Sequence, residues 1–191
     1  MSVDMWEALL VSWIFVSIAC YVVRTIPFII REGRKLYLRH LRLMTTVEFM
    51  MWISWAITFL IPQDTLPILL PVAVFAGLSV CSVGMFLVAT AFRKLRGFRD
   101  PGKLVASGVY GIVRHPMYLG WILVLIGFPM AFRAAWGLAT SVCLSVVVFI
   151  WAYAEEMELG LRYGDEYLAY KEQVGMFIPR SWNITRNETH S

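Results

Sequence analysis

Five apolar runs, at residues 5–23, 46–61, 66–92, 117–132 and 134–154, constrain this chain most, because each approaches the roughly 20 residues an α-helix needs to cross a bilayer. Hydrophobic residues make up 59% of the sequence and charged ones 16%, against about 45–50% and about 25% in soluble domains. The expected architecture is an all-α integral membrane protein with about five transmembrane helices. No soluble domain of ordinary size fits in what is left, so polar chemistry must come from loops and span ends. The opening Met-Ser-Val-Asp-Met-Trp-Glu is acidic where a secretory signal is basic, and no small-residue cleavage pattern follows, so the first run reads as a retained span.

The basic residues orient the set. Arg24, Arg31, Arg34, Lys35, Arg39 and Arg42 fall in the first loop, and Arg93, Lys94, Arg96, Arg99, Lys103 and Arg114 in the third. Arg162, Lys171, Arg180 and Arg186 lie in the tail, which leaves Arg133 alone on the opposite side. The positive-inside rule then predicts an outside N-terminus and a cytoplasmic tail. The net charge of +4 fits orientation and anionic headgroups. It calls for no nucleic acid, and no obligate protein partner is expected. The first loop, residues 24–44, alternates basic with apolar residues and reads as an amphipathic segment on the inner leaflet, a solvated charged linker being the alternative.

Cys20, Cys81 and Cys143 lie in three different runs without CxxC spacing or a nearby His, so they read as small buried hydrophobes, and neither a metal site nor a disulfide framework is expected. Only Arg133 and its immediate neighbours separate the fourth and fifth runs, which predicts a tight antiparallel hairpin, and the fourth run is short for a full span. The third is longer than a span needs, with Pro67 and Pro71 at its outer start.

Two polar clusters end these runs on the same side. Ser107-Gly108-Val109-Tyr110-Gly111-Ile112-Val113-Arg114-His115-Pro116-Met117-Tyr118 leads into the fourth run, and Glu155-Glu156-Met157-Glu158 follows the fifth. Pro116 suits a first helical turn and pushes His115 out of the helical region, so His115 belongs at the N-cap. The free amides and positive dipole end of that helix, with Arg114 alongside, suit a carboxylate or phosphate. Adjacent glutamates on a helix point about 100° apart and can serve different partners. Tyr167 and Tyr170 share a helix face and either stack a planar group or pack the helix down. A ligand with a carboxylate at one end, cationic groups beside it and a flat ring at the other would use all these parts, and S-adenosylmethionine is such a ligand.

Taken in order, Gly108-Val109-Tyr110, Arg114-His115-Pro116-Met117-Tyr118, Glu155-Glu156 and Tyr163-Gly164-Asp165-Glu166-Tyr167, with Tyr170 and Pro179, resemble the isoprenylcysteine carboxyl methyltransferase family of integral membrane enzymes. That family also resembles phospholipid N-methyltransferases. The likeness covers roughly residues 100–180, and the first three runs match only in pattern. It implies a cytoplasmic-side S-adenosylmethionine pocket formed by the third loop, the last helical hairpin and the C-terminal helix, with a lateral opening for a lipid or lipid-like acceptor. His115 and Tyr118 would bind the amino-acid end of the cofactor, while Lys103, Leu104, Val105 and Tyr110 would line its nucleoside end. Glu155 would touch cofactor or substrate, and Glu156 would help fix the site. Arg180 follows Pro179 where family members often carry an Arg before the Pro, which brings Arg114 and Arg162 forward as groups for the substrate.

The chain then divides into N-terminal helices with the basic loop at 1–99, a cofactor-binding and catalytic region at 100–180 and a polar tail at 181–191. The acceptor, carboxylate or amine, stays open. A membrane reductase of the steroid reductase type, binding a reduced nicotinamide dinucleotide phosphate, is the enzymatic alternative. A non-enzymatic small membrane protein would leave the clustered Arg, His, Tyr and Glu without a purpose.

Overall fold

Seven residues make two helical turns, so Gly77 and Gly84 stack along one helix face and Gly120 and Gly127 along another. The computed structural model describes residues 41–59, 61, 63–95 and 102–180, with isolated positions 8–9, 11–16, 18–19 and 22 of the first run. In it the two glycine pairs meet. They belong to α2 (Leu70–Lys94) and α3 (Pro116–Ala131). A Cβ on Gly84 would lie 2.6 Å from the Gly120 carbonyl oxygen, and one on Gly127 would lie 2.7 Å from that of Gly77. Pairing 84 with 120 and 77 with 127 makes the helices antiparallel with their backbones in contact. Close backbone packing of this kind holds helices together where lipid removes the hydrophobic incentive to associate.

α1 (Leu41–Ile57) and α4 (Ala135–Tyr163) complete the bundle. Trp55 of α1 packs with Leu125 of α3 and with Leu144, Val148 and Trp151 of α4 in one buried cluster. A buried indole needs a partner for its N–H, and Trp55 donates to Ser141 Oγ at 2.9 Å.

α2 and α4 are long and apolar enough to cross a membrane, and α3 is apolar but has 16 residues, about 24 Å against a hydrocarbon core of about 30 Å. The short fourth run is therefore a short helix. α4, with 29 residues, runs on through Glu155 to Tyr163 after the apolar stretch has ended. α1 includes Leu41, Arg42, Leu43 and Met44, ahead of its apolar run, and all four favour helix. Those four residues belong to α1 and not to a surface segment. The rest of the expected amphipathic segment, 24–40, lies outside the described residues, as do 96–101 and the tail 181–191. The first run is described at scattered positions, all helical, so the expected count of five helices falls partly outside them too.

The expected hairpin is tight. Arg133 takes a left-handed backbone, φ 57°, at a cost of about 1–2 kcal/mol. Its Nε donates to the Leu66 carbonyl at 3.0 Å, and its own carbonyl accepts from Leu66 N–H at 2.8 Å. An antiparallel bridge between Thr65 and Ala134 and a bond from Gly137 N–H to Gln63 Oε1 at 2.9 Å tie the loop before α2 to the same hairpin.

Candidate functional site

At the opposite end, Pro116 opens α3 and His115 is its N-cap, with φ −122° and ψ 59° outside the helical region. The His115 carbonyl accepts the first helical bond, from Leu119 N–H at 3.0 Å. Upstream, a 3₁₀ turn over Gly108–Gly111 follows a bend at Gly102, and both Gly102 and Gly108 have positive φ. Glu155 and Glu156 diverge as adjacent helical residues must: the Glu156 side chain is 5% exposed and that of Glu155 40%.

The inward Glu156 organises the site. Arg114 donates to its Oε1 from Nε at 2.8 Å and from Nη2 at 2.5 Å. Lys171 Nζ lies 2.9 Å from Oε2, and His115 Nε2 lies 3.3 Å from Oε1. Three basic side chains thus surround one buried carboxylate, a geometry in which the charges offset each other's desolvation. Arg114 has a second task, since its Nη1 donates to the Lys171 carbonyl at 3.2 Å and to the Val174 carbonyl. On the other side of the imidazole, His115 Nδ1 is 3.6 Å from Glu155 Oε2.

Those carbonyls belong to the tail. Gly164, with φ 52° and ψ −127°, makes the turn from α4 into α5 (Asp165–Gln173), a conformation that suits glycine. Tyr167 and Tyr170 of α5 are buried with Val174, their ring centroids 6.0 Å apart, so they pack the helix down. Tyr170 Oη donates to the Tyr110 carbonyl at 2.6 Å and fixes the 3₁₀ turn. Beyond α5, Val113 and Gly175 form a parallel bridge, Arg114 N–H donates to the Gly175 carbonyl at 2.8 Å, and His115 N–H donates to the Met176 carbonyl at 3.2 Å. The tail is therefore a wall of the site.

Burial pulls His115 toward its neutral form, but Glu155 and Glu156 outweigh it and raise its pKa above 6.5. Burial also raises the phenols of Tyr110 and Tyr167 well above their ordinary range and pushes Tyr170 up to about 12. All three tyrosines stay neutral. Among the described residues, His115 Nε2 and Tyr167 Oη are buried without a hydrogen-bond partner.

The structure brings Arg114, His115, Glu155 and Glu156 into one cluster, with Tyr110 behind it and Tyr118 on the first turn of α3, its ring centroid 5.7 Å from that of His115. Leu104 and Val105 are half-buried along the upstream bend, Leu104 packing on the Tyr167 and Tyr170 cluster, whereas Lys103 is exposed. Arg162 is exposed on the last turn of α4, its guanidinium 5.1 Å from the Tyr163 ring centroid. Sequence reasoning missed Lys171 as the second cation on Glu156. Its only signal was one basic residue among several in the tail.

The phospholipid methyltransferase family model matches residues 72–166. That interval holds α2 from Val72 on, the 3₁₀ turn, α3, α4 and Arg114, His115, Glu155 and Glu156, and it stops before Lys171 and the tail wall. Over this interval the chain resembles the isoprenylcysteine carboxyl methyltransferase family. Relatives include methanethiol S-methyltransferase 1 of Bradyrhizobium diazoefficiens, 37% identical over 79 residues, which are 41% of this chain and 27% of that protein. Protein-S-isoprenylcysteine O-methyltransferase of Homo sapiens is 36% identical over 87 residues, 42% of this chain and 28% of its own. The Dictyostelium discoideum protein of the same name is 28% identical over 152 residues, 72% of this chain and 58% of its own. The chain thus spans under a third of the length of the first two relatives. All three are named as methyltransferases. No solved structure matches the chain.

Proposed function

We propose that this protein is an S-adenosylmethionine-dependent methyltransferase of the membrane, acting on a lipid or lipid-like acceptor at its cytoplasmic face. The observation that carries the reading is the cluster at the start of α3: N-cap His115, half-open Glu155 beside it, and Glu156 held by Arg114 and Lys171. The relatives' names support methyl transfer.

When bound, S-adenosylmethionine supplies a methyl group on a positively charged sulfur. The residues present fit such a group. The first turn of α3 offers amide donors and a positive dipole end for its carboxylate, with His115 and Tyr118 adjacent. The half-exposed Glu155 carboxylate would face its ammonium. Leu104, Val105 and Tyr110, with Lys103 at the rim, line a strip for the nucleoside. Glu156 and Arg114 act by position, locking the N-cap to the tail, and Arg162, exposed on the last turn of α4, would meet an anionic acceptor.

With such a group bound, the acceptor's nucleophilic atom would bond to the methyl carbon as the carbon–sulfur bond broke and left its electron pair on sulfur. A carboxylate acceptor needs no base, and alignment alone supplies about 7–11 kcal/mol. An amine or thiol acceptor must also lose a proton, which the half-exposed Glu155 carboxylate would take. The relative named for methanethiol S-methylation would need the second mode, and the one named for isoprenylcysteine O-methylation the first.

Titration of the purified protein in detergent with S-adenosylhomocysteine and with the reduced nicotinamide dinucleotide phosphate tests the reading. Saturable binding of the first alone is expected, and binding of the second alone would turn the site into that of a reductase.

A further inference from the structure

Phe177 joins the polar cluster to the apolar surface. Its ring centroid lies 6.1 Å from that of His115 on one side and 5.7 Å from that of Phe149 on the other. Phe149 stands two helical turns before Glu156 on the same face of α4. Phe149 is 47% exposed where Glu156 is buried, so this face passes from the lipid side into the site within two turns. Phe177 bridges that passage.

The backbone pins the ring there. Gly175 is bridged to Val113, and the Met176 carbonyl takes the His115 N–H. The Ile178 carbonyl folds back onto Gly175 so closely that any Cβ there would overlap it. The next residue, Ile178, is 80% exposed. Phe177 belongs to neither buried apolar cluster, so core packing does not account for an aromatic ring at this point.

We propose that Phe177 selects the acceptor: its ring narrows the route from the bilayer to His115 and Glu155 and sets how wide an apolar acceptor reaches them. This rests on the methyltransferase reading above. A wall of carbon discriminates by shape, and one methylene against such a wall is worth about 10–200-fold in kcat/KM.

The test uses the full chain in phosphatidylcholine nanodiscs, with S-adenosylmethionine and two acceptor series: alkanethiols from methanethiol upward, and N-acetylcysteine thioethers from S-methyl to S-farnesyl. The readout is the ratio of kcat/KM for the widest to the slimmest acceptor in whichever series the wild type methylates. Phe177→Ala is expected to raise that ratio about tenfold, Phe177→Leu to raise it less, and Phe177→Trp to lower it, with S-adenosylhomocysteine affinity unchanged. A ratio that stays put or falls in Phe177→Ala overturns the assignment. A wild type that binds no S-adenosylhomocysteine overturns the methyltransferase reading instead. Independently of turnover, a spin label on Phe177→Cys, in a background with Cys20, Cys81 and Cys143 replaced by Ser, is expected to be relaxed by oxygen dissolved in the bilayer. A label relaxed only by a water-soluble nickel complex overturns the lipid route past this residue.

Discussion

Arg114 and Glu156 form a buried ion pair in which one carboxylate oxygen accepts from both Nε and Nη2, while the third guanidinium nitrogen holds the tail. The arrangement separates two neighbouring glutamates by role. Removing one partner of a buried pair strands the other charge and costs about 3–5 kcal/mol. Glu156→Gln is therefore expected to lower the thermal midpoint of the detergent-purified protein sharply. Glu155→Gln, at a half-exposed site, is expected to keep the midpoint and lose methyl transfer. Fluorescence-monitored melting and a transfer assay on both variants check this, and equal melting losses would remove the distinction.

His115 gives the stability a pH dependence of defined sign. Its folded pKa is raised above the unfolded value of 6.5, the nearby carboxylates outweighing burial. The contribution is then fully present below pH 6.5 and is lost as pH rises through the folded pKa. Thermal midpoints measured upward from that pH should fall, and His115→Gln should flatten this part of the profile.

The contact of α2 with α3 depends on absent side chains. Gly84→Ala places a methyl 2.6 Å from the Gly120 carbonyl oxygen, an overpacking that costs about 1–3 kcal/mol. Gly164→Ala adds a methyl to open space but strains a turn at φ 52° and ψ −127°, with a cost of about 1–3 kcal/mol. Both variants are expected to lower the thermal midpoint, and an unchanged midpoint in Gly84→Ala would mean that the two helices separate easily.

Orientation rests on the Lys and Arg distribution, sixteen of seventeen on one side. The sequons Asn183-Ile184-Thr185 and Asn187-Glu188-Thr189 report on it. Both should stay unglycosylated when the chain is inserted into microsomes, and a glycan on either would invert the topology.

Features set by neighbours along the chain were legible in the sequence. Pro116 alone places His115 at an N-cap, the brevity of the 132–134 link dictates the hairpin, and adjacency forces Glu155 and Glu156 apart. What could not be read depends on partners far apart in sequence. Arg114 meets the Lys171 carbonyl across 57 positions and that of Val174 across 60, and nothing local marks either one. The glycine register lay between these cases. A spacing of seven was visible on both helices, but the antiparallel match of 84 with 120 and 77 with 127 emerges only when the two are laid together.

The bonds from Arg114 and His115 N–H to Gly175 and Met176 carry a consequence for synthesis. The helices can be handed to the bilayer one after another as they leave the ribosome. The N-cap of α3 stays without its backbone partners until some sixty further residues have been translated. The segment that closes the functional end thus comes after α2, α3 and α4 in the chain, and a chain truncated before Gly175 keeps those helices and has no closed site.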